Sequence, residues 1–125
     1  MTTAWTSDEL QRIGAADELE IASRRADGTL RSFVTIWVVR SGDAIYIRSA
    51  HGPANPWFRR ALASGAGRIR SGGVERDVTF SVPSSSVHPE LDAAYRHKYS
   101  KYPVEYVDPV VGSVAATATL LVTPV

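Results

Sequence analysis

The stretch Leu30–Ser49, "LRSFVTIWVVRSGDAIYIRS", decides the fold. In an extended chain Phe33, Thr35, Trp37 and Val39 share one face, and Val34, Ile36 and Val38 share the other. Apolar side chains on both faces leave none for water. One face is therefore expected to line a barrel interior, and the other to meet a helix or a second subunit. Ser41–Asp43, "SGD", reads as a turn, and Ala44–Ser49 as the next strand.

Upstream, Leu19–Arg25 is a strand joined to Leu30–Arg40 through "ADGT", whose Asp27-Gly28 is a hairpin signal. Earlier still, Thr6 and Glu9 fit a capping box, with Trp5 and Leu10 placed as its hydrophobic staple. Gly14 reads as the stop of this two-turn helix. Downstream, a short strand around Arg68–Arg70 turns at Ser71–Gly73 into Val74–Val82. Val74, Val78, Phe80 and Val82 share a parity that also contains Arg76. Pro89 opens a helix reaching about Lys101, with Leu91, Ala94, Tyr95, Lys98 and Tyr99 along one side. Tyr102–Gly112 is irregular, and Ser113–Val125 closes the chain as a strand. About six strands and three short helices predict one α+β domain over residues 1–125, a closed or nearly closed antiparallel barrel.

Composition narrows the function. The 125 residues are enough for one core, and a net charge of +1 gives no global field to recruit nucleic acid or membrane. The chain has no cysteine, which removes disulfides, thiolate metal sites and cysteine nucleophiles. "MTTAWTSDEL" lacks the basic and apolar regions of a secretory signal, so a cytoplasmic protein is expected. His51, His88 and His97 show no metal-ligand spacing, and no metal site is expected. Glu18 with Glu20, and Glu75 with Asp77, alternate as exposed strand charges do.

Local charge is concentrated in Tyr46–Leu62, "YIRSAHGPANPWFRRAL". Arg48 and Ser49 end a strand, and the loop that follows contains His51 and Gly52. Asn55 is a favourable N-cap and Pro56 a favourable first helical residue, with Phe58, Ala61 and Leu62 as the buried stripe. Arg59 and Arg60 fall in the first turn, where the helix dipole disfavours cations by a few tenths to about 1 kcal/mol. A bound anion would reverse that conflict. The alternative is that both are solvated or paired with Glu75 or Asp77.

The succession of helix, hairpin, apolar strand, "SGD", short strand and "GPANPWFRRAL" (Gly52–Leu62) resembles the flavin-binding split-barrel superfamily. That superfamily includes pyridoxamine-phosphate oxidase-like proteins and deazaflavin-dependent nitroreductases. The latter often carry a glycine loop followed by Pro-Trp-Tyr, two further residues and Leu. Here Phe58 stands for the tyrosine, and Arg60-Ala61 precedes Leu62 in place of asparagine-leucine. Taken whole, the chain is most similar to a small uncharacterised bacterial family of the same superfamily.

The resemblance implies a homodimer that binds FMN or a deazaflavin coenzyme. Arg48, Ser49, Arg59 and Arg60 would then lie on the phosphate side, and His51, Gly52, Pro56 and Trp57 of the same loop and helix would also contact the cofactor. Trp37, Val38 and Val39 would lie on the ring side, offering backbone hydrogen bonds and an apolar wall. Tyr95, Tyr99, Tyr102 and Tyr106 recur along the chain. The first three are either amphipathic rim residues or the wall of a pocket for a small organic acceptor. Two functions stay open: a flavin- or deazaflavin-dependent oxidoreductase, or a module that carries or senses flavin, haem or another anionic ligand without turnover.

Overall fold

The computed structural model describes residues 4–125. Its strands are β1 (Glu18–Ser23), β2 (Val34–Trp37), β3 (Val39–Ser41), β4 (Ala44–Arg48), β5 (Ala66–Ser71), β6 (Val74–Ser81) and β7 (Thr119–Pro124). Five helices accompany them: α1 (Ser7–Ala15), α2 (Pro56–Ser64), α3 (His88–Lys98), α4 (Val104–Val107) and α5 (Ser113–Ala116). The fold class is the expected one, with seven strands rather than about six and five helices rather than three.

The extra strand arises where the sequence reads as one continuous run. The sheet order is β2-β1-β5-β6-β7-β4-β3, antiparallel throughout. Its two edges, β2 and β3, are consecutive in the chain and meet at Val38. One kinked segment thus pairs with β1 on one side (Ile21 opposite Val34) and with β4 on the other (Val39 opposite Tyr46). A sheet whose two edges belong to a single segment is a nearly closed barrel.

The kink has a physical cause in α3 and the residues just after it. The Val38 amide, lost to the ladder, donates to the Tyr99 hydroxyl at 3.0 Å, and that hydroxyl donates to the Asp17 carbonyl at 2.7 Å. The Val38 carbonyl accepts from Lys98 Nζ at 2.7 Å. Both backbone groups freed by the break are therefore paired. Side-chain alternation survives it. Ile36 and Val38 pack with the barrel core, while Trp37 and Val39 pack against Leu91, Tyr95 and Tyr99 outside.

Local signals behave as expected at the N-terminus. Thr6 Oγ1 accepts from the Glu9 amide, Glu9 accepts from the Thr6 amide, and Trp5 and Leu10 are both buried. Gly14 is not the stop, since α1 continues through Ala15. A Cβ at Gly14 would lie 3.3 Å from Arg40 Cδ, so the missing side chain lets α1 close on β3. Arg76, on the apolar parity of β6, binds Glu9 at 3.1 Å and lies 5.7 Å over the Trp5 ring. β6 ends at Ser81, and Val82 is exposed.

The C-terminal third is more helical than the sequence suggests. α3 stops at Lys98, and the span expected to be irregular contains α4 and a 3-10 turn over Asp108–Val110. Ser113–Ala116 is a helical turn, with Ala116 N donating to the Gly112 carbonyl at 3.0 Å, so the last strand begins only at Thr119. Among the described residues, no helix is long and apolar enough to cross a membrane.

Candidate functional site

The site forms where β2, the loop after β4 and the start of α2 converge. Asn55 occupies the N-cap in extended conformation and Pro56 the first turn, but the Asn55 side chain makes no capping bond. It lines a cleft of roughly 560 Å³ instead, together with Val34, Trp37, Arg48, Trp57, Tyr102 and Tyr106. That volume lies within the ~300–1,000 Å³ range of small-molecule sites. In α2 the buried stripe is Trp57, Phe58 and Ala61; Leu62, expected to be buried, is exposed.

Aromatic rings form one wall. Trp37 stacks on Tyr99 with centroids 3.9 Å apart and planes 3° from parallel, and Tyr102 lies 5.2 Å from Trp37. Tyr99 is fully buried beneath Trp37, so it stiffens the wall without reaching the cleft. Tyr95 is also fully buried, and its hydroxyl has no hydrogen-bond partner. Burial pushes both phenols well above the ordinary tyrosine range. Of the three tyrosines expected at a pocket, only Tyr102 lines the cleft. Tyr106, not among those three, joins Tyr102 there because helix restarts in α4 at Val104.

Val38 and Val39 require a correction. Their side chains are buried, and the Val38 amide and carbonyl are taken by Tyr99 and Lys98. Neither residue opens onto the cleft; of the expected ring-side trio only Trp37 does, joined by Val34, Thr35 and Ile36.

The expected anion grip divides into two parts. Arg48 is buried, with its guanidinium bonded to Thr119 Oγ1 at 3.0 Å, Asp92 at 2.5 Å and the Val110 carbonyl at 2.9 Å. Its Nη2 meets His88 Nδ1 at 3.1 Å. Arginine donates only, so Nδ1 accepts and the His88 ring proton sits on Nε2. This network ties β4 to α3 and to the segment before α5. Ser49 donates to the Gly52 carbonyl at 2.8 Å, which spends its hydroxyl inside the loop. Gly52 is buried at φ 99, and a Cβ there would lie 3.0 Å from Val114. His51, at φ 65, is exposed. Arg48, Ser49 and Gly52 thus build the loop.

Arg59 and Arg60 lie on the other side of Trp57, exposed. They do not pair with Glu75 or Asp77, which hold Arg68 at 3.5 and 3.0 Å, while Asp77 also holds Arg24. Instead they line an open groove with Arg24, Arg25 and Arg31 of the β1–β2 hairpin and with Pro56. A constriction lies between the two regions. Its walls include Val34 and Trp57, shared with the cleft, and Arg31 and Arg60, shared with the groove. Aromatic cleft and cationic groove therefore lie side by side, sharing wall residues with the narrow space between them. Arg31 gave no sign of this in the sequence, because the hairpin brings it to α2 only through the folded sheet. Among the described residues, no group of three or more His, Asp or Glu side chains could hold a metal ion.

A nearly closed antiparallel barrel with α2 packed at one end and an open cleft on its wall defines a split-barrel fold. Three solved structures share this fold. An F420 reductase superposes with TM-score 0.54 at 11% identity, over 91% of this chain and 89% of its own. An FAD- and haem-binding protein from Mycobacterium smegmatis gives 0.56 at 17%, over 97% of this chain and 66% of its own. An FAD-binding protein from Mesorhizobium loti gives 0.53 at 15%, over 97% and 89%. No curated protein sequence matches the chain. Over residues 9–122 the chain matches DUF2255, described as uncharacterized protein conserved in bacteria, and it belongs to that family.

Proposed function

We propose that this protein binds a flavin-type cofactor, FMN or a deazaflavin coenzyme, with the flat ring in the cleft beside Trp37 and Tyr102. On this reading it is an oxidoreductase that passes hydride or electrons to a small organic acceptor, acting as a cytoplasmic homodimer. The observation that carries the reading is that an aromatic cleft adjoins a groove lined by arginines. A flavin joins a planar aromatic ring to an anionic tail, and cleft and groove offer each a matching surface side by side. Likeness of fold to proteins described as F420-, FAD- and haem-binding supports the same class of ligand.

The bound ring supplies the redox chemistry. The chain's residues bind and orient it. Trp37, braced by Tyr99, offers a rigid apolar face, and Trp57 closes the side toward α2. Arg31 and Arg60 stand where the tail leaves the cleft. Asn55 supplies an amide that no other group has claimed for capping.

One observation favours a second reading, a carrier or sensor without turnover. Two of the polar groups at the cleft are already engaged within the protein. Arg48 is bonded on every side, and the Tyr102 hydroxyl donates to Asp17 at 3.3 Å. Titrating the protein with FMN and the deazaflavin coenzyme, while recording ligand absorbance and fluorescence, tests the first reading. Micromolar binding that Trp37→Ala abolishes in a folded protein is expected, and binding of neither cofactor would overturn it. Reduced cofactor that nitro, enone and quinone acceptors fail to reoxidise would move the assignment to the carrier.

A further inference from the structure

Building on that reading of the cleft, we propose that the ligand's tail carries at least two anionic groups. The groove would bind them at two stations: Arg31 with Arg60 at the constriction, and Arg25 with Arg59 beyond it. The observation is how unevenly the arginines are neutralised. Seven of the twelve, Arg12, Arg24, Arg48, Arg68, Arg70, Arg76 and Arg96, hold a carboxylate. The five that do not, among the described residues, are Arg25, Arg31, Arg40, Arg59 and Arg60. Four of these five line the one groove.

Acids are present nearby but are turned to other partners. Asp27, at the hairpin tip, accepts from the Thr29 amide and hydroxyl, and Asp77 serves Arg24 and Arg68. No acidic side chain lines the groove. Arg31, Arg59 and Arg60 hold no carboxylate among the described residues and Arg25 feels Asp27 only through space, so the four repel one another; this chain places the first turn of α2 among them, where the helix dipole adds to the positive potential. A composition that balances charge elsewhere leaves this surface unbalanced.

The positions separate the four into pairs. Arg31 and Arg60 border both the constriction and the groove, whereas Arg25 and Arg59 border the groove alone. A single phosphate emerging from the cleft meets the first pair. It leaves the second pair without an anion. The groove, at roughly 1,040 Å³, has room for a longer tail such as a diphosphate or a chain of carboxylates. Guanidinium forks suit both chemistries.

The test measures the affinities of riboflavin, FMN, FAD and the deazaflavin coenzyme by fluorescence titration. It uses the wild type, the Arg25→Gln/Arg59→Gln double variant and Arg59→Glu alone. Arg59 is exposed and, among the described residues, its side chain makes no hydrogen bond or ion pair, so the single variant retains the fold even if loss of the Arg25 bond to the Leu30 carbonyl loosens the hairpin. A long-tailed ligand, FAD or the deazaflavin coenzyme, is expected to bind at least about tenfold more tightly than FMN, the scale of one lost set of charge-assisted bonds. Both variants should remove that advantage while the FMN affinity stays within about twofold, a difference well below that scale. Equal affinities for FMN and both long-tailed ligands, or an advantage that survives both variants, would overturn the two-station tail site and leave the ring site standing. If no flavin binds, riboflavin included, the ring site fails and the tail site falls with it.

Discussion

Tyr99 shows how much one side chain can decide. Its hydroxyl accepts the Val38 amide and donates to the Asp17 carbonyl, and its ring carries Trp37. Tyr99→Phe keeps the ring stack but leaves a buried amide unpaired, a loss of about 1–3 kcal/mol in urea unfolding. The wall of the cleft depends on the same residue, so flavin affinity should fall with it. An unchanged unfolding midpoint would mean that Val38 finds another partner. The neighbouring lysines differ in character. Burial lowers Lys98 from 10.5 to about 8, whereas a hydrogen bond from Lys101 to Asp17 raises Lys101. Because the folded state holds the Lys98 proton less tightly than the unfolded chain, its cost is full below about pH 8 and is relieved as pH climbs toward 10.5. Lys98 and Lys101 are the only lysines in the chain. Brief acetylation at pH 8 followed by peptide mass spectrometry should modify Lys98 before Lys101; the reverse order would refute the assignment.

At the scale of elements, α2 breaks the usual rules for a helix start. Its first turn holds no acid, two arginines follow Pro56 and Trp57, and its N-cap side chain is turned to the cleft. Asn55→Asp should therefore raise stability by about 0.3–1 kcal/mol through the helix dipole. The same change should weaken FMN binding by placing a carboxylate beside the ligand. Paired urea and FMN titrations read both effects, and a variant that gains affinity would remove the anionic ligand from this end of the cleft. Turns and caps were legible where the signal was local, although β1 ends at Ser23 rather than Arg25 and β2 begins only at Val34 rather than Leu30. The Thr6–Glu9 box and the Asp27-Gly28 and Ser41–Asp43 turns all depend on residues within a few positions of one another. The break at Val38 was not legible, because its cause lies 61 residues away in Tyr99. Gly14 misled for a related reason: close packing against Arg40, not chain reversal, is what it serves.

Across the whole molecule, one exposed aromatic stands at the cleft: Tyr106 lines it at 62% exposure, and Val104 of the same short helix is 60% exposed. We expect this face to be covered by a second copy, so that sedimentation gives twice the 13.6 kDa of one chain and Tyr106→Glu shifts the species toward monomer. A wild-type protein that sediments as a monomer at micromolar concentration would refute that. Net charge shows why the whole differs from the sum of its parts. A total of +1 excludes a global field, yet among the described residues the fold pairs seven arginines with carboxylates and gathers four of the other five in one groove. Alternation, turn residues and caps act over a few neighbouring positions, so they specify the turns, the capped first helix and the class of barrel, but not the count of strands. Only the tertiary structure decided which arginines are free, which tyrosines reach the cleft, and where the barrel bends. Those outcomes depend on contacts between distant segments, which burial and pairing fix only once the sheet has closed.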